Sequence, residues 1–454
     1  MTSLPPAFVD RTRHLLGGEW SDFEEALHSE PSVSIRLNDK RLPALAYAPV
    51  LWCNTGFYLP VRPLFTLDPL FHSGVYYVQE ASSMFLEQII RQYIDKKTIV
   101  LDLCAAPGGK STHLANLLPQ GSFVVANEVI RARASILAEN VQKWGNAGIA
   151  VTSNTPEAIG KLTSFFDMVM VDAPCSGEGL WRKDPDAVKE WSPANVEMCA
   201  ARQKDILKNV WNALKENGLL IYSTCTYNRK ENEDNVCWIA QELGADIVSV
   251  NIDASWGVTC SNAGYRFYPH KTRGEGFFIA VLRKMPPLTP PKPPKEERNN
   301  KNHKQFIHSE LLLFLQKGIN WVIEEKEGNF RAYDERFAGI VRLLEQRLNV
   351  VSCGVELGVC KGADFIPHTA LALSKNLDSS SCNTVEVDWQ TAIRYLRRET
   401  VEIANQPIGY LLLTYRNIPV GWIKNIGQRS NNLYPPEWRI RMQIQSGMTE
   451  PKII

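Results

Sequence analysis

The stretch Leu101-Asp102-Leu103-Cys104-Ala105-Ala106-Pro107-Gly108-Gly109-Lys110-Ser111 constrains the fold of this chain most. An apolar run, Ile99 to Leu103, ends in small residues and two adjacent glycines, and a helical pattern over His113 to Leu118 follows. A strand, a tight turn and a helix start in that order bring backbone N–H groups and the positive end of a helix up to whatever the turn faces. An ordinary βα turn has the same outline. The residues downstream have to decide between them.

From 98 to about 283 short apolar runs alternate with helical stretches. The runs are Ile99 to Leu103, Phe123 to Ala126, Ile149 to Thr152, Met168 to Val171 and Leu219 to Tyr222; the helical stretches include Arg131 to Trp144 and Pro193 to Leu214. This alternation predicts an α/β fold with a mostly parallel sheet covered on both faces. Ligands of such sheets bind outside the carboxyl ends of the strands. The polar residues that follow each run are therefore the candidates. The glycine turn follows the first. Asn127 and Glu128 follow the second, about 20 residues on, where an acid holds the ribose of a nucleoside cofactor. Asp172-Ala173-Pro174-Cys175-Ser176-Gly177-Glu178-Gly179 follows the fourth, and Ser223-Thr224-Cys225-Thr226 the fifth. One acid and two cysteines thus converge on the same rim. A single Cys at a strand end is usually a small buried hydrophobe; two in such surroundings argue for chemistry.

At 454 residues the chain has room for about three domains. Residues 1–95 mix helix signals (Phe8 to Leu16, Phe23 to Leu27, Met84 to Tyr93) with the alternating Val33 to Asn38. They also hold an aromatic, proline-rich region including Trp52, Phe57, Tyr58, Phe65 and Phe71. Aromatics interleaved with Arg62 fit either stacking of single-stranded bases or the packing of a small domain. Residues 96–284 form the alternating domain. A Pro-, Lys- and Asn-rich segment, 285–304, reads as an extended linker. Residues 305–454 form a second folded region, with helix expected over Leu311 to Leu315, helix or mixed structure over Phe337 to Leu348, and strands over Ile408 to Thr414 and Val420 to Ile423. From 391 onward nine Lys/Arg face four Glu, with Tyr415, Trp422, Tyr434 and Trp438 between them. That composition suits a small β-rich RNA-binding module as well as a solvated basic face.

The net charge of +1 implies that any nucleic-acid surface is a local patch. The 10 cysteines are scattered, without C-x-x-C pairs or Cys/His clusters at zinc spacing, so a reducing, cytoplasmic setting is expected and a metal centre is not. No signal peptide is evident at the N-terminus, and no apolar run approaches the roughly 18 residues that span a bilayer.

DAPCSGEG together with STCT resembles the NOP2/Sun family of RNA cytosine-C5 methyltransferases, and CAAPGGK resembles that family's S-adenosylmethionine loop. Ser34-Ile35-Arg36-Leu37-Asn38, the Gly74 to Ser83 segment, and Arg266 to His270 with Gly274 to Phe278 fit as well, so the match covers about 34 to 282. Gly421 to Asn425 with Asn431 to Arg441 looks like the PUA-like tail, about 385–450, of the RsmF-type branch that acts on 16S rRNA near the decoding site. The resemblance implies a Rossmann-like, class I methyltransferase core between a small N-terminal α+β domain and a C-terminal RNA-binding region. It also implies S-adenosylmethionine as cofactor and a monomer that acts on 16S rRNA or the small ribosomal subunit.

By the same resemblance Cys225 is the nucleophile that adds to cytosine C6, and Cys175 assists proton removal and release. Asp172 binds the N3/N4 edge of the base, and Lys110 orients Asp172 or neutralises nearby charge. Cys104, Ala105, Ala106, Pro107, Gly108, Gly109 and Lys110 line the cofactor, with Glu128 on its ribose and Asp172 beside it. One departure stands out. Where the family places an Asp for the adenine amino group, this chain has Thr152-Ser153-Asn154-Thr155-Pro156, leaving Asn154 to accept through its amide oxygen.

Alternatives stay open at this level. DNA cytosine-C5 methyltransferases attack with a Cys that follows Pro, which would make Cys175 the nucleophile but leave STCT without a role. Transfer RNA is the second candidate substrate. A non-catalytic ribosome-assembly factor on a methyltransferase scaffold is the third reading, against which the intact cysteines, Asp172 and glycine turn all count.

Overall fold

The computed structural model describes residues 4–38, 45–286, 310–326, 328–362, 364–442 and 448–454. The expected linker lies outside the described residues from 287 onward.

The chain opens with helices α1 (Pro6–Leu16) and α2 (Trp20–His28). An antiparallel sheet follows, built from β1 (Val33–Leu37), β2 (Ala48–Pro49), β3 (Gly56–Leu59) and β4 (Tyr76–Val78) in the order β2-β3-β1-β4, with α3 (Pro69–His72) just before β4. Asp68 starts α3 by accepting from Leu70 N. Helix α4 (Leu86–Tyr93) then leads into the main sheet.

That sheet is founded on five parallel strands, β5 (Ile99–Asp102), β6 (Phe123–Asn127), β7 (Ile149–Thr152), β8 (Phe166–Asp172) and β9 (Leu214–Thr224), in the order β9-β8-β5-β6-β7. The connections carry α5 (Gly109–Leu117), α6 (Arg131–Trp144), α7 (Pro156–Gly160) and α8 (Pro193–Val210). Side chains alternate across the strands, as a sheet covered on both faces requires. Val100 and Val124 pack on the face of α4 and α5, while Leu101 and Val125 pack on the face of α8. The helix expected to reach Leu214 stops at Val210, because Leu214 already pairs with Phe166 in β8. Beyond β9, after α9 (Glu233–Glu242), the antiparallel strands β10 (Ala245–Val248), β11 (Thr259–Ser261), β12 (Gly264–Phe267) and β13 (Phe277–Lys284) extend that side of the sheet.

The C-terminal region begins with β14 (Trp321–Lys326), β15 (Asn329–Asp334), α10 (Ala338–Arg347), β16 (Val350–Cys353), β17 (Val355–Lys361), β18 (Asp364–Pro367) and α11 (Thr369–Leu373). Leu311–Phe314 is a single 3-10 turn. The last sheet comprises β19 (Thr384–Glu386), β20 (Gly409–Tyr415), β21 (Ile418–Asn425) and β22 (Ser430–Asn432), with α12 (Trp389–Leu396) packed on it.

Two features cross the sequence-level domain boundaries. Strand β16 pairs antiparallel with β7 and closes the far edge of the main sheet, while Phe337, Val341 and Leu344 around α10 join the core beneath it. The N-terminal sheet and the last sheet share one core, in which Ile35, Leu37 and Tyr76 meet Ile393, Leu411 and Ile423.

The aromatics read as possible base-stacking residues mostly face inward. Trp52, Tyr58 and Phe65 are buried, and Trp52 Nε1 donates to the Ala81 carbonyl. Tyr415, Trp422, Tyr434 and Trp438 are buried too. Of the two readings left open for the N-terminal set, packing holds for these residues: their area is worth more in a core than in water.

Candidate active site

The carboxyl ends of β5, β8 and β9 meet at one rim. The point where the connections change direction lies between β5 and β8. The glycine turn occupies it. Gly108 caps α5 with φ +114, a left-handed conformation that suits glycine, and a Cβ there would sit 3.2 Å from Leu137. Arg133 Nη2 donates to the Ala106 carbonyl, and Tyr77 Oη and Asn140 Nδ2 both donate to the Pro107 carbonyl. Donors from β4 and α6 thus fix the carbonyls of the turn.

Two recesses flank it. A cleft of about 560 Å³ is lined by Cys104, Ala106, Glu128, Asp172, Cys175 and Cys225, with Val129, Ile130, Pro156 and Leu180 among its apolar walls. A smaller recess of about 160 Å³ is lined by Ala105, Pro107, Gly109, Lys110 and Asp102, with Tyr77 and Glu80 opposite. Cys104, Ala106 and Asp172 border both. Gly108 lines neither and faces α6.

Asp172 ends β8. Lys110 Nζ lies 2.7 Å from its Oδ2, and Ser223 Oγ donates to its Oδ1 at 2.7 Å. Burial disfavours the Lys110 ammonium, but Asp172 beside it outweighs that, and the Lys110 pKa lies above its ordinary value. The ammonium also sits over the Phe277 ring at 5.4 Å.

The two cysteines touch. Cys175 Sγ is 3.1 Å from Cys225 Sγ, and Cys225 N donates to Cys175 Sγ at 3.3 Å. The contact with Cys225, burial and the nearby Glu231 carboxylate together push the Cys175 thiol well above its usual range. Burial does the same to Cys104, which marks it as a lining residue. Asp102, buried under the turn with Ser111 Oγ donating to it at 2.6 Å, is raised by burial to about 7. Its Oδ1 has no hydrogen-bond partner.

Glu128 follows β6 at the cleft wall. Its Oε1 accepts from Ile130 N, and its Oε2 is 3.2 Å from Arg133 Nη1. Asn154 does not face the cleft. Its Oδ1 accepts from Asn349 N, and its Nδ2 donates to the Asn349 carbonyl. The amide expected to accept from adenine is turned instead to the backbone just before β16. No sequence signal linked 154 with 349.

Sequence reasoning also missed residues around the rim. Arg36 is fully buried beneath the turn, and a pair of glutamates, Glu178 and Glu231, accept hydrogen bonds from both cysteine loops. All three lie within stretches singled out for other residues or close after them. Among the described residues, Cys53, Glu87 and His113 form the one group of three metal-capable side chains. It lies away from the cleft, and its members bond one another: Cys53 Sγ is 3.8 Å and Glu87 Oε2 3.6 Å from His113 Nε2. Arg91 pairs with Glu87 at 2.7 Å.

Comparison with known proteins agrees with this geometry. Residues 91–283 match the family 16S rRNA methyltransferase RsmB/F, residues 4–81 match the N-terminal domain of 16S rRNA methyltransferase RsmF, and residues 382–440 match the methyltransferase RsmF PUA domain. The chain is 32% identical over 473 residues to the ribosomal RNA small subunit methyltransferase F of Salmonella paratyphi A, covering 95% of this chain and 96% of that one. It is 30% identical over 463 residues to the protein of the same name from Erwinia tasmaniensis, again covering 95% and 96%. Among solved structures, a methyltransferase homolog protein from Pyrococcus horikoshii matches with TM-score 0.53 and 26% identity, over 62% of this chain and 95% of that one. NSun6 from the same organism, solved with SFG, has the same fold at TM-score 0.53 and 20% identity, over 62% and 98%. Likeness along nearly the whole chain, through all three regions in order, shows that this chain belongs to the RsmF family of 16S rRNA methyltransferases.

Proposed function

We propose that this RNA methyltransferase methylates C5 of a cytosine in 16S rRNA, with Cys225 as the nucleophile. The observation that carries the reading is the convergence of Asp172, Cys175 and Cys225 on one cleft beside the glycine turn, with Lys110 bonded to Asp172 from the adjoining recess.

The cleft fits S-adenosylmethionine. Its polar wall at Glu128 suits ribose hydroxyls, its apolar walls suit adenine, and the turn leaves no side chain on its inner side at Gly109. Cys104 and Ala106 on one side, and Ala105, Pro107, Gly108, Gly109 and Lys110 continuing the turn, would enclose it. The bound cofactor supplies a methyl group on a sulfonium.

Cytosine C5 is a weak nucleophile until a thiolate adds at C6. A bond from Cys225 Sγ to C6 moves the ring's electron pair to C5, which would take the methyl as its bond to the sulfonium breaks and a neutral thioether leaves. Loss of the C5 proton and breakage of the S–C6 bond restore the ring. Lys110 lies within electrostatic reach of Cys225. Cys175 sits beside Glu231, which favours a protonated thiol that can give its proton to the departing Cys225 sulfur and receive the C5 proton in exchange. Asp172, held by Lys110 and Ser223, would take the N3/N4 edge of a base swung out of its helix.

Incubating the protein with 16S rRNA and cofactor tests the reaction, with bisulfite sequencing of the product. Denaturing gels of the variants test the nucleophile. Cys225→Ala is expected to give no protein–RNA adduct, and Cys175→Ala to accumulate one. A persistent adduct from Cys225→Ala would assign the attack to Cys175 instead.

A further inference from the structure

We propose that Glu178 and Glu231 are positioning residues that fix the separation of Cys175 and Cys225, each carboxylate holding the loop that carries the other residue's cysteine. This rests on the reading of those cysteines as the reacting pair.

The arrangement is reciprocal. Glu178 stands three residues after Cys175, yet it accepts from Tyr227 N at 3.0 Å and lies 3.2 Å from Asn228 Nδ2, both on the Cys225 loop. Glu231 stands six residues after Cys225, yet it accepts from both Ser176 N, at 3.0 Å, and Ser176 Oγ on the Cys175 loop. Three outside residues complete the set. Gln203 of α8 donates to Glu231 at 2.7 Å, and Trp191 Nε1 and Arg11 of α1 each donate to Glu178 at 2.9 Å. Asn228 Nδ2, 2.6 Å from Glu231 Oε1, links the two carboxylates. Both glutamates are completely buried.

Residue chemistry explains why glutamate stands at both places. An ionised carboxylate offers about four acceptor sites and no donor. Each of these faces donors from several directions, and Glu231 meets four from Ser176, Gln203 and Asn228. An amide of the same shape would turn an N–H toward one of those donors. What would then remain between the loops includes Gly179 N on the Cys225 carbonyl, at 2.9 Å, and Cys225 N on Cys175 Sγ. Reaction rates fall roughly 100-fold when reacting groups are misplaced by about 1 Å. A pair of thiols that must act in turn on one base is exposed to that penalty.

The test uses the full chain and a ruler that needs no RNA. Diamide takes two hydrogens from two neighbouring thiols and leaves a disulfide, so its rate of joining Cys175 to Cys225, read by peptide mass spectrometry, reports their separation. Glu231→Gln and Glu178→Gln are expected to slow that joining at least ~10-fold, and to lower kcat roughly 10- to 100-fold while the KM for cofactor changes less than ~2-fold. Glu231→Gln is further expected to move the alkylation profile of Cys175 to lower pH, because a negative charge beside it is gone. Ser176→Ala, a milder change should the glutamine variants fail to fold, is expected to slow both rates several-fold. Wild-type joining rates in these variants, or a fall in kcat with joining unchanged, would overturn the positioning role. Should the wild-type protein not methylate cytosine C5, the function proposed above fails on its own, since the diamide rates still report on the clasp.

Discussion

Lys110 Nζ and Asp172 Oδ2 lie 2.7 Å apart, joining the end of β8 to the first turn of α5 at the border between the two recesses. One carboxylate thus receives Lys110 on one oxygen and Ser223 on the other. Replacing the cation leaves Asp172 aligned by Ser223 alone and removes a positive charge within electrostatic reach of Cys225. Lys110→Met is expected to lower methyl transfer to 16S rRNA roughly 100-fold, the scale of losing one preorganised donor at a reacting centre. Cofactor binding by calorimetry should change far less. Near-wild-type turnover would remove Lys110 from the reaction.

Arg36 reaches from β1 to the underside of the glycine turn. Its Nη2 donates to Thr112 Oγ1 at 2.7 Å and to the Gly109 carbonyl at 3.1 Å, its Nε donates to Gln79 Oε1, and the guanidinium lies 4.5 Å over Trp144. Burial lowers its pKa to about 10, so it is still charged at neutral pH. Arg36→Met is expected to weaken cofactor binding about 10-fold, which is about 1.4 kcal/mol. The change in melting temperature should be smaller than the lost hydrogen bonds suggest, since the variant no longer buries a charge. Unchanged cofactor affinity would show that the turn keeps its shape unaided.

Asp102 gives stability a pH dependence of known sign. Its folded-state pKa, about 7, lies above the ordinary carboxylate value of 3.8, so folding favours the protonated acid. The stability it contributes is complete below about pH 4 and is lost as pH rises through 7. Asp68, raised by burial to about 6, acts in the same direction and is unchanged in an Asp102→Asn variant. Urea unfolding at pH 5 and pH 8 should therefore show Asp102→Asn gaining on the wild type as pH rises. Parallel curves would place the Asp102 pKa near its ordinary value.

Phe337, next to α10, packs against Phe123 of β6 with ring centroids 4.9 Å apart. It belongs to the segment that ends in β16 and closes the main sheet at β7. Phe337→Ala is expected to cost about 3–5 kcal/mol, as for other buried aromatics cut back to a methyl. The loss should appear as a lower single melting transition that includes the methyltransferase sheet. A separate, low-temperature transition confined to the C-terminal region would show that this region folds independently of the sheet.

The sequence by itself determined the parallel core and its rim. Apolar runs of strand length separated by helical periods leave few other folds, and the residues after each run are bound to reach the same edge. Asp172, Cys175 and Cys225 were legible for that reason, each within three residues of a strand end, and Lys110 because it opens the helix after the glycine turn. Tertiary structure alone decided what those residues meet. Asn154 is turned to Asn349, and Arg36 to Thr112, across separations that leave no periodic trace in the chain. The burial of Trp422 and Tyr434, in residues whose composition also suits a base-stacking surface, depends on which sheet covers them. Periodicity records which face of an element is apolar, but not which distant segment covers it. Glu178 and Glu231 show the same division. The sequence places each beside its own cysteine; only the folded chain turns each toward the other's loop.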